Sequence, residues 1–354
     1  MGFLRHACVA AWWGKYTFLA LQTQLNLALR RECARQRTLA ERRRKDGDPE
    51  LTVREKEAYY RQWRSVLREV ENMRSDSWLM SSADRPTGFR VNWNKMAECN
   101  ISQELRRELD FLTYLFGDAK RQFWKTPIAQ SVPRTAHFDG YSDASLKGIG
   151  AACVQLRFLF SIKVRQDVHQ RTKSFVERGP DLITINELEL AAAILLFAGV
   201  RLAVLQGRHK NCSAWPVLQL WIDNISAKKF INKGTTNSPA ARALLRLLAL
   251  LTRGSPVSLN AKYVPDVENN NKVADALSRI DDLFVDAPSH KSSSFFSDFP
   301  QMRGCDIYQP SRELLSAIWY ALLHSKTTDR LLTRIRQQRG VDDAFLGRLV
   351  PLVA

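Results

Sequence analysis

The chain has 354 residues, more than one ordinary domain of about 100–200 residues holds, which implies more than one folded unit. Lys plus Arg number 53 against 36 Asp plus Glu, a net charge of +17, and this excess points to a polyanionic partner. With 45% hydrophobic residues, 10% aromatics and a mean hydropathy of −0.29, the composition supports packed cores and excludes a disordered chain, collagen or a disulfide miniprotein.

The six cysteines, at positions 8, 33, 99, 153, 212 and 305, show neither a CxxC pair nor a Cys/His zinc spacing, as in a reduced compartment. The N-terminal stretch is broken by Arg5, His6 and Lys15, so no secretory signal is expected. No stretch approaches 18 uncharged apolar residues, so no spanning helix is expected either. An intracellular location, cytoplasm or nucleus, follows as the expectation, with no membrane partner.

In chain order, residues 1–100 read as a helical basic region. A helix is expected over 18–44, with leucines giving way to the run Arg42-Arg43-Arg44-Lys45, before Asp46-Gly47-Asp48-Pro49 breaks it. A second helix starts at Thr52, with Glu55 placed for a capping box, and carries Tyr60, Trp63, Leu67 and Val70. Residues 101–133 are a lead-in helix, with Leu105, Leu109, Leu112 and Phe116 at helical spacing, followed by a linker.

From 134 to 285 the texture becomes mixed α/β. Strands joined by short turns are expected over 136–162, then an apolar helix from about Asn186 to Leu205 and a buried strand over Val217–Ile222. Helices over 226–232 and 238–252 follow, the second with Ser238-Pro239 at its N-cap and first-turn positions. A strand over 258–264 and a helix over 271–280 close this α/β domain. Residues 286–310, with Ser292-Ser293-Ser294, read as a linker, and 311–354 as an incomplete helical segment.

Four carboxylates stand where strands end or helices begin: Asp143, Glu189, Asp223 and Asp275. Singly, each has a structural explanation as a turn former, a first-turn acid or a helix cap. Jointly, a carboxylate on each of several core elements can gather at one edge of a sheet. There such groups are costly unless paired or bound to a cation. All-oxygen ligands suit Mg²⁺, and a pair of such ions can activate a water and stabilise the leaving oxygen in phosphodiester cleavage.

The segments Tyr141-Ser142-Asp143-Ala144-Ser145 with Gly148-Ile149-Gly150, Glu189-Leu190-Ala191-Ala192, Trp221-Ile222-Asp223-Asn224, and Ala274-Asp275-Ala276-Leu277-Ser278-Arg279 occur in a telling order. That order resembles ribonuclease H domains of retrotransposon reverse transcriptases, of the group that includes gypsy-like and tyrosine-recombinase (DIRS-like) elements. The fold implied is α/β, a ribonuclease H-like mixed sheet with flanking helices. The N-terminal region then stands as a remnant of the thumb or connection, with the polymerase palm absent.

The resemblance implies that Asp143, Glu189, Asp223 and Asp275 bind two Mg²⁺, or Mn²⁺, with Asp143 bridging both ions, Glu189 and Asp223 completing one sphere and Asp275 the other. Glu187 competes with Glu189, and Asp139 is a weaker rival to Asp143. The implied activity is endonucleolytic hydrolysis of the RNA strand of an RNA–DNA hybrid, whose A-like form displays 2′-hydroxyls in its minor groove. Candidate contacts to the nucleic acid are Ser145, Lys147, Asn224, Lys228, Lys229 and Arg279, while Trp221 and Tyr263 read as core residues. The missing polymerase domain of the same element is a further expected partner.

Departures from the family pattern are Asp266 after Val264-Pro265, the longer loop with Asn269-Asn270-Asn271, and the lack of a loop histidine between Tyr263 and Asp275. No Tyr-x-Asp-Asp polymerase motif is present. The alternative reading is a catalytically inactive ribonuclease H-like remnant that binds nucleic acid through its charge. An integrase or transposase would normally carry Glu at the position of Asp275.

Overall fold

The computed structural model describes residues 135–172, 183–209, 216–234, 236, 238–264, 271–280, 295–328, 330, 331, 333 and 341–351, together with Arg106 and Asp110, both helical. The chain divides into two units, Ala20–Glu108 and the remainder, and every described residue but Arg106 belongs to the latter. The expected helices over 18–44 and from Thr52, and nearly all of the lead-in over 101–133, lie outside the described residues.

Among the described residues, seven strands form one mixed sheet: β1 (Phe138–Ala144), β2 (Gly148–Cys153), β3 (Phe158–Lys163), β4 (Val217–Ile222), β5 (Ser258–Tyr263), β6 (Asp306–Pro310) and β7 (Gly347–Val350). Their order across the sheet is β5-β4-β1-β2-β3-β6-β7. Strand β2 runs antiparallel to both β1 and β3 and is joined to them by tight turns, whereas β4 runs parallel to β1 and β5 parallel to β4. Parallel neighbours need a crossover, and helices supply it.

Among the described residues, the helices include α1 (Gln166–Arg171), α2 (Ile185–Leu205), α3 (Ile225–Lys233), α4 (Pro239–Thr252), α5 (Lys272–Arg279), α6 (Arg312–His324) and the short α7 (Asp343–Leu346). Local chemistry accounts for the starts. Ser238 Oγ accepts from Ala241 N–H at 3.2 Å with Pro239 in the first turn, and Asn224 Oδ1 accepts from Ala227 N–H at 3.0 Å, both as N-caps. Helix α3 ends on Gly234 in the left-handed conformation (φ 68°), which costs glycine nothing.

Helix α2 is the centre of the main core. Its side chains from Leu188 to Ala203 are buried, and it packs with α3 and α4 on one face of the sheet. Gly140 in β1 permits this contact, since a Cβ there would lie 2.9 Å from Leu196 Cδ2. Among the described residues α2 alone is long and apolar enough to cross a membrane, although the sequence suggested no such stretch; 89% of its apolar window is buried inside the protein. Being hydrophobic all round is what a helix enclosed by a sheet and other helices requires.

The opposite face carries α5 and a smaller apolar cluster formed by Ala152, Leu159, Leu277, Phe295, Met302 and Cys305. Residues 286–310 were expected to be a linker and 311–354 a separate segment, and the described parts of both depart from that expectation. Strand β6 pairs in parallel with β3, β7 pairs with β6, and Tyr308, Leu314, Ile318, Trp319 and Phe345 join the main core. The reason is burial: Phe158 and Phe160 of β3 need a cover, and the ring of Tyr308 meets both edge-on, at centroid distances of 6.1 and 5.8 Å. Tyr308 is 1% exposed, and its hydroxyl is satisfied by donating to Leu346 O at 2.6 Å.

Candidate metal centre

Asp143 lies near the C-terminal end of β1, and Asp223 directly follows β4. The two strands are parallel neighbours whose last paired positions are Ser142 and Ile222, so both carboxylates leave the carboxyl end of the sheet side by side. Ligand sites of α/β sheets favour that end. Glu189, on the second turn of α2, reaches the same place, where its Oε1 accepts from Ala144 N–H at 3.1 Å. One ligand oxygen from each of Asp143, Glu189 and Asp223 lies within 4.8 Å of the others.

The competing glutamate has another task. Glu187 Oε2 accepts from Thr184 N–H at 2.9 Å and from the Thr184 hydroxyl, closing the capping box that starts α2. At 3.6 residues per turn, positions 187 and 189 lie about 200° apart around the helix, so only one can face the sheet edge. Asp139 is likewise engaged elsewhere: its carboxylate accepts from Trp221 Nε1 at 2.8 Å and from Gln155 Nε2 at 3.3 Å.

Burial dominates the electrostatics of Glu189 and Asp143. Glu189 is 3% exposed and Asp143 5% exposed. Burial pushes the Glu189 carboxyl well above its ordinary range, and the charges of Asp143 and Asp223 push it the same way. Asp143 is also raised, first by burial; the Ser278 hydroxyl bond opposes this and the charge of Asp275 adds to it. The neighbouring Asp223 side chain, like Ser278, opposes the rise at Asp143. Glu189 Oε2, although buried, has no hydrogen-bond partner. An orphaned buried acceptor beside two further carboxylates is an all-oxygen donor set that could hold a metal ion, whose charge would offset the crowding of negative charge.

Asp275, the fourth expected ligand, stands on α5 outside this group of three. Its Oδ1 accepts from Arg279 Nη2 at 2.6 Å, one helical turn on, while its charge still acts on both Asp143 and Glu189. Helix α5 is brought close by two glycines: a Cβ on Gly148 would lie 2.5 Å from Ser278 O, and one on Gly150 2.3 Å from Ser278 N. Sequence reasoning assigned no role to Ser278, whose hydroxyl donates to Asp143 Oδ2 at 2.5 Å. Its place three residues after Asp275, on the same side of a helix, was the available signal.

The expected nucleic-acid contacts are scattered around this end of the sheet. Lys147 and Lys229 are exposed, Lys228 is half-buried, and Arg279 is exposed and paired with Asp275. Ser145 Oγ donates to Ser278 O at 2.7 Å and accepts from Gly148 N–H at 3.0 Å, so a sugar contact would have to displace the first of these bonds. Asn224 caps α3 and donates from Nδ2 to Asn186 Oδ1 at 2.9 Å, which ties the starts of α3 and α2 together.

Tyr263, expected in the core, is 36% exposed at the end of β5. Trp221 is half-buried on the sheet, its ring stacked with Tyr141 at a centroid distance of 6.4 Å and with Lys262 Nζ 5.5 Å from its centre. Compared with known proteins, the chain matches no family model, no curated protein and no solved structure.

Proposed function

We propose that the protein is a ribonuclease H-like nuclease that hydrolyses the RNA strand of RNA–DNA hybrids, as part of a retroelement reverse transcriptase polyprotein. The observation that carries this reading is the convergence of Asp143, Glu189 and Asp223 from three separate elements, with Glu189 Oε2 buried and unpaired. The mixed sheet with flanking helices is compatible with a ribonuclease H-like fold, and the net charge of +17 suits a polyanionic substrate.

Asp143, Glu189 and Asp223 would hold a divalent cation, with Asp275 the candidate to help hold a second. Bound Mg²⁺ or Mn²⁺ supplies Lewis acidity toward a phosphodiester and lowers the pKa of water. The chain itself does the rest. Glu189 is held by Ala144 N–H and Asp143 by Ser278, so both carboxylates have fixed orientations before a ligand arrives. Lys147, Lys229 and the half-buried Lys228 are available to follow the phosphate backbone, which positions a duplex without reading its sequence. Discrimination for RNA would rest on minor-groove 2′-hydroxyls.

Cleavage of a labelled RNA–DNA hybrid by the full chain with Mg²⁺, beside Asp143→Asn, tests the reading. Cleavage by the wild type and its loss in the variant are expected. Hybrid binding without cleavage would leave only the non-catalytic remnant, and cleavage that survives Asp143→Asn would place the site elsewhere.

A further inference from the structure

We infer that Ser278 is a positioning residue of the metal centre: its hydroxyl holds one oxygen of Asp143 and thereby keeps the other turned toward the cation. The inference rests on the metal-site reading above and deepens it.

Ser278 lies on the last turn of α5, is 1% exposed, and points its hydroxyl at two acceptors, Asp143 Oδ2 at 2.5 Å and Asp275 O at 2.9 Å. A hydroxyl has one proton and a peptide carbonyl donates none, so the acceptors compete. A bond to a carboxylate is charge-assisted and stronger than one to a neutral carbonyl, so the proton belongs to Asp143. That ties one oxygen of the Asp143 carboxylate to α5 and sets the direction of the other. Hydrogen-bonded supports of this kind orient metal ligands and hold them ready.

The placement of Ser278 is itself built from several parts of the sheet. The last carbonyls of a helix lack intrahelical donors, and at α5 two serine hydroxyls supply them. Ser145 Oγ, from the turn after β1, donates to Ser278 O at 2.7 Å, and Ser161 Oγ, from β3, donates to Leu277 O at 2.7 Å. Gly150, paired across the sheet with Asp143 itself, and Gly148 leave the room this close approach needs. The end of α5 is thus clamped to β1, β2 and β3, and Ser278 Oγ is held at one place relative to Asp143.

Calorimetric titration of the full chain with Mn²⁺ alone provides the test. Ser278→Ala should weaken Mn²⁺ affinity by about tenfold to a hundredfold, and the unfolding midpoint in EDTA should fall as well, because a buried carboxylate loses its donor. In an Asp143→Asn background the same substitution should no longer change affinity, since the two groups act as one unit. Ser278→Thr, which keeps the hydroxyl, should recover most of the affinity, and Ser278→Cys carries the comparison if the alanine variant does not fold. Wild-type Mn²⁺ affinity in Ser278→Ala would overturn the positioning role while leaving the metal site standing. A lower midpoint in EDTA with unchanged affinity would likewise reduce Ser278 to a packing residue. Failure of the wild type to bind Mn²⁺ would overturn the metal site and this inference together.

Discussion

A Cβ placed on Gly150 would lie 2.3 Å from the backbone nitrogen of Ser278, closer than any ordinary contact between such atoms. Strand β2 and helix α5 therefore meet backbone to backbone, and the contact sets where Ser278 and Asp275 stand relative to Asp143. Gly150→Ala should force α5 outward and destabilise the fold by about 1–3 kcal/mol, the range for overpacked cores. Chemical denaturation measures this. Because α5 carries Ser278, metal affinity should fall as well, and a variant as stable and as tight-binding as the wild type would contradict the packing described.

The two neighbouring glutamates should separate cleanly. Glu187→Ala removes the acceptor of the capping box and should cost about 0.5–2 kcal/mol of stability while leaving Mn²⁺ affinity near that of the wild type. Glu189→Gln removes a buried charge and should abolish tight cation binding. It should also raise stability in EDTA, because repulsion with Asp143 and Asp223 is relieved. Thermal melts with and without Mn²⁺ on both variants decide the assignment.

The raised carboxyls fix the sign of a pH effect. Asp143 and Glu189 titrate above their ordinary values of 3.8 and 4.5 in the folded state, so without metal the folded chain holds protons that the unfolded chain has released. Their contribution is fully present below those ordinary values and is lost as pH rises through the raised ones. Unfolding midpoints in EDTA, taken as the difference between the wild type and Glu189→Gln, should turn against the wild type as pH rises. Mn²⁺, which favours the ionised folded form, should restore more stability at higher pH. A difference that is flat with pH would count against the buried acidic cluster.

Removal of residues 295–354 should uncover Phe158, Phe160 and the flank of α2, and the shortened chain should lose cooperative unfolding or aggregate. Tyr308→Phe is the gentler probe. It leaves Leu346 O without its donor and should cost about 1 kcal/mol. Independent folding of the shortened chain with undiminished stability would restore the boundary near 285 that composition suggests.

Local order was legible in the sequence. Alternation and apolar runs placed β4 over Val217–Ile222 and α2 from near Asn186 to Leu205, and Ser238-Pro239 marked the start of α4, because periodicity and caps report on a single element and its own backbone. The positions of Asp143, Glu189 and Asp223 at the ends of core elements were also readable. The choice between Glu187 and Glu189 was not, because it depends on which side of α2 faces the sheet edge. Nor did the separation of Asp275 from the three converging acids show, since where Asp275 stands relative to them depends on how α5 lies on β2. Residues 295–350 read as linker and loose helix because β6 and β7 are short, and a short strand acquires its identity only from the neighbour it pairs with. Sequence by itself determined the elements and the supply of carboxylates. Tertiary structure decided which carboxylates meet, since convergence depends on strand register, helix rotation and the close approach of two backbones at Gly150, none of which has a local signature.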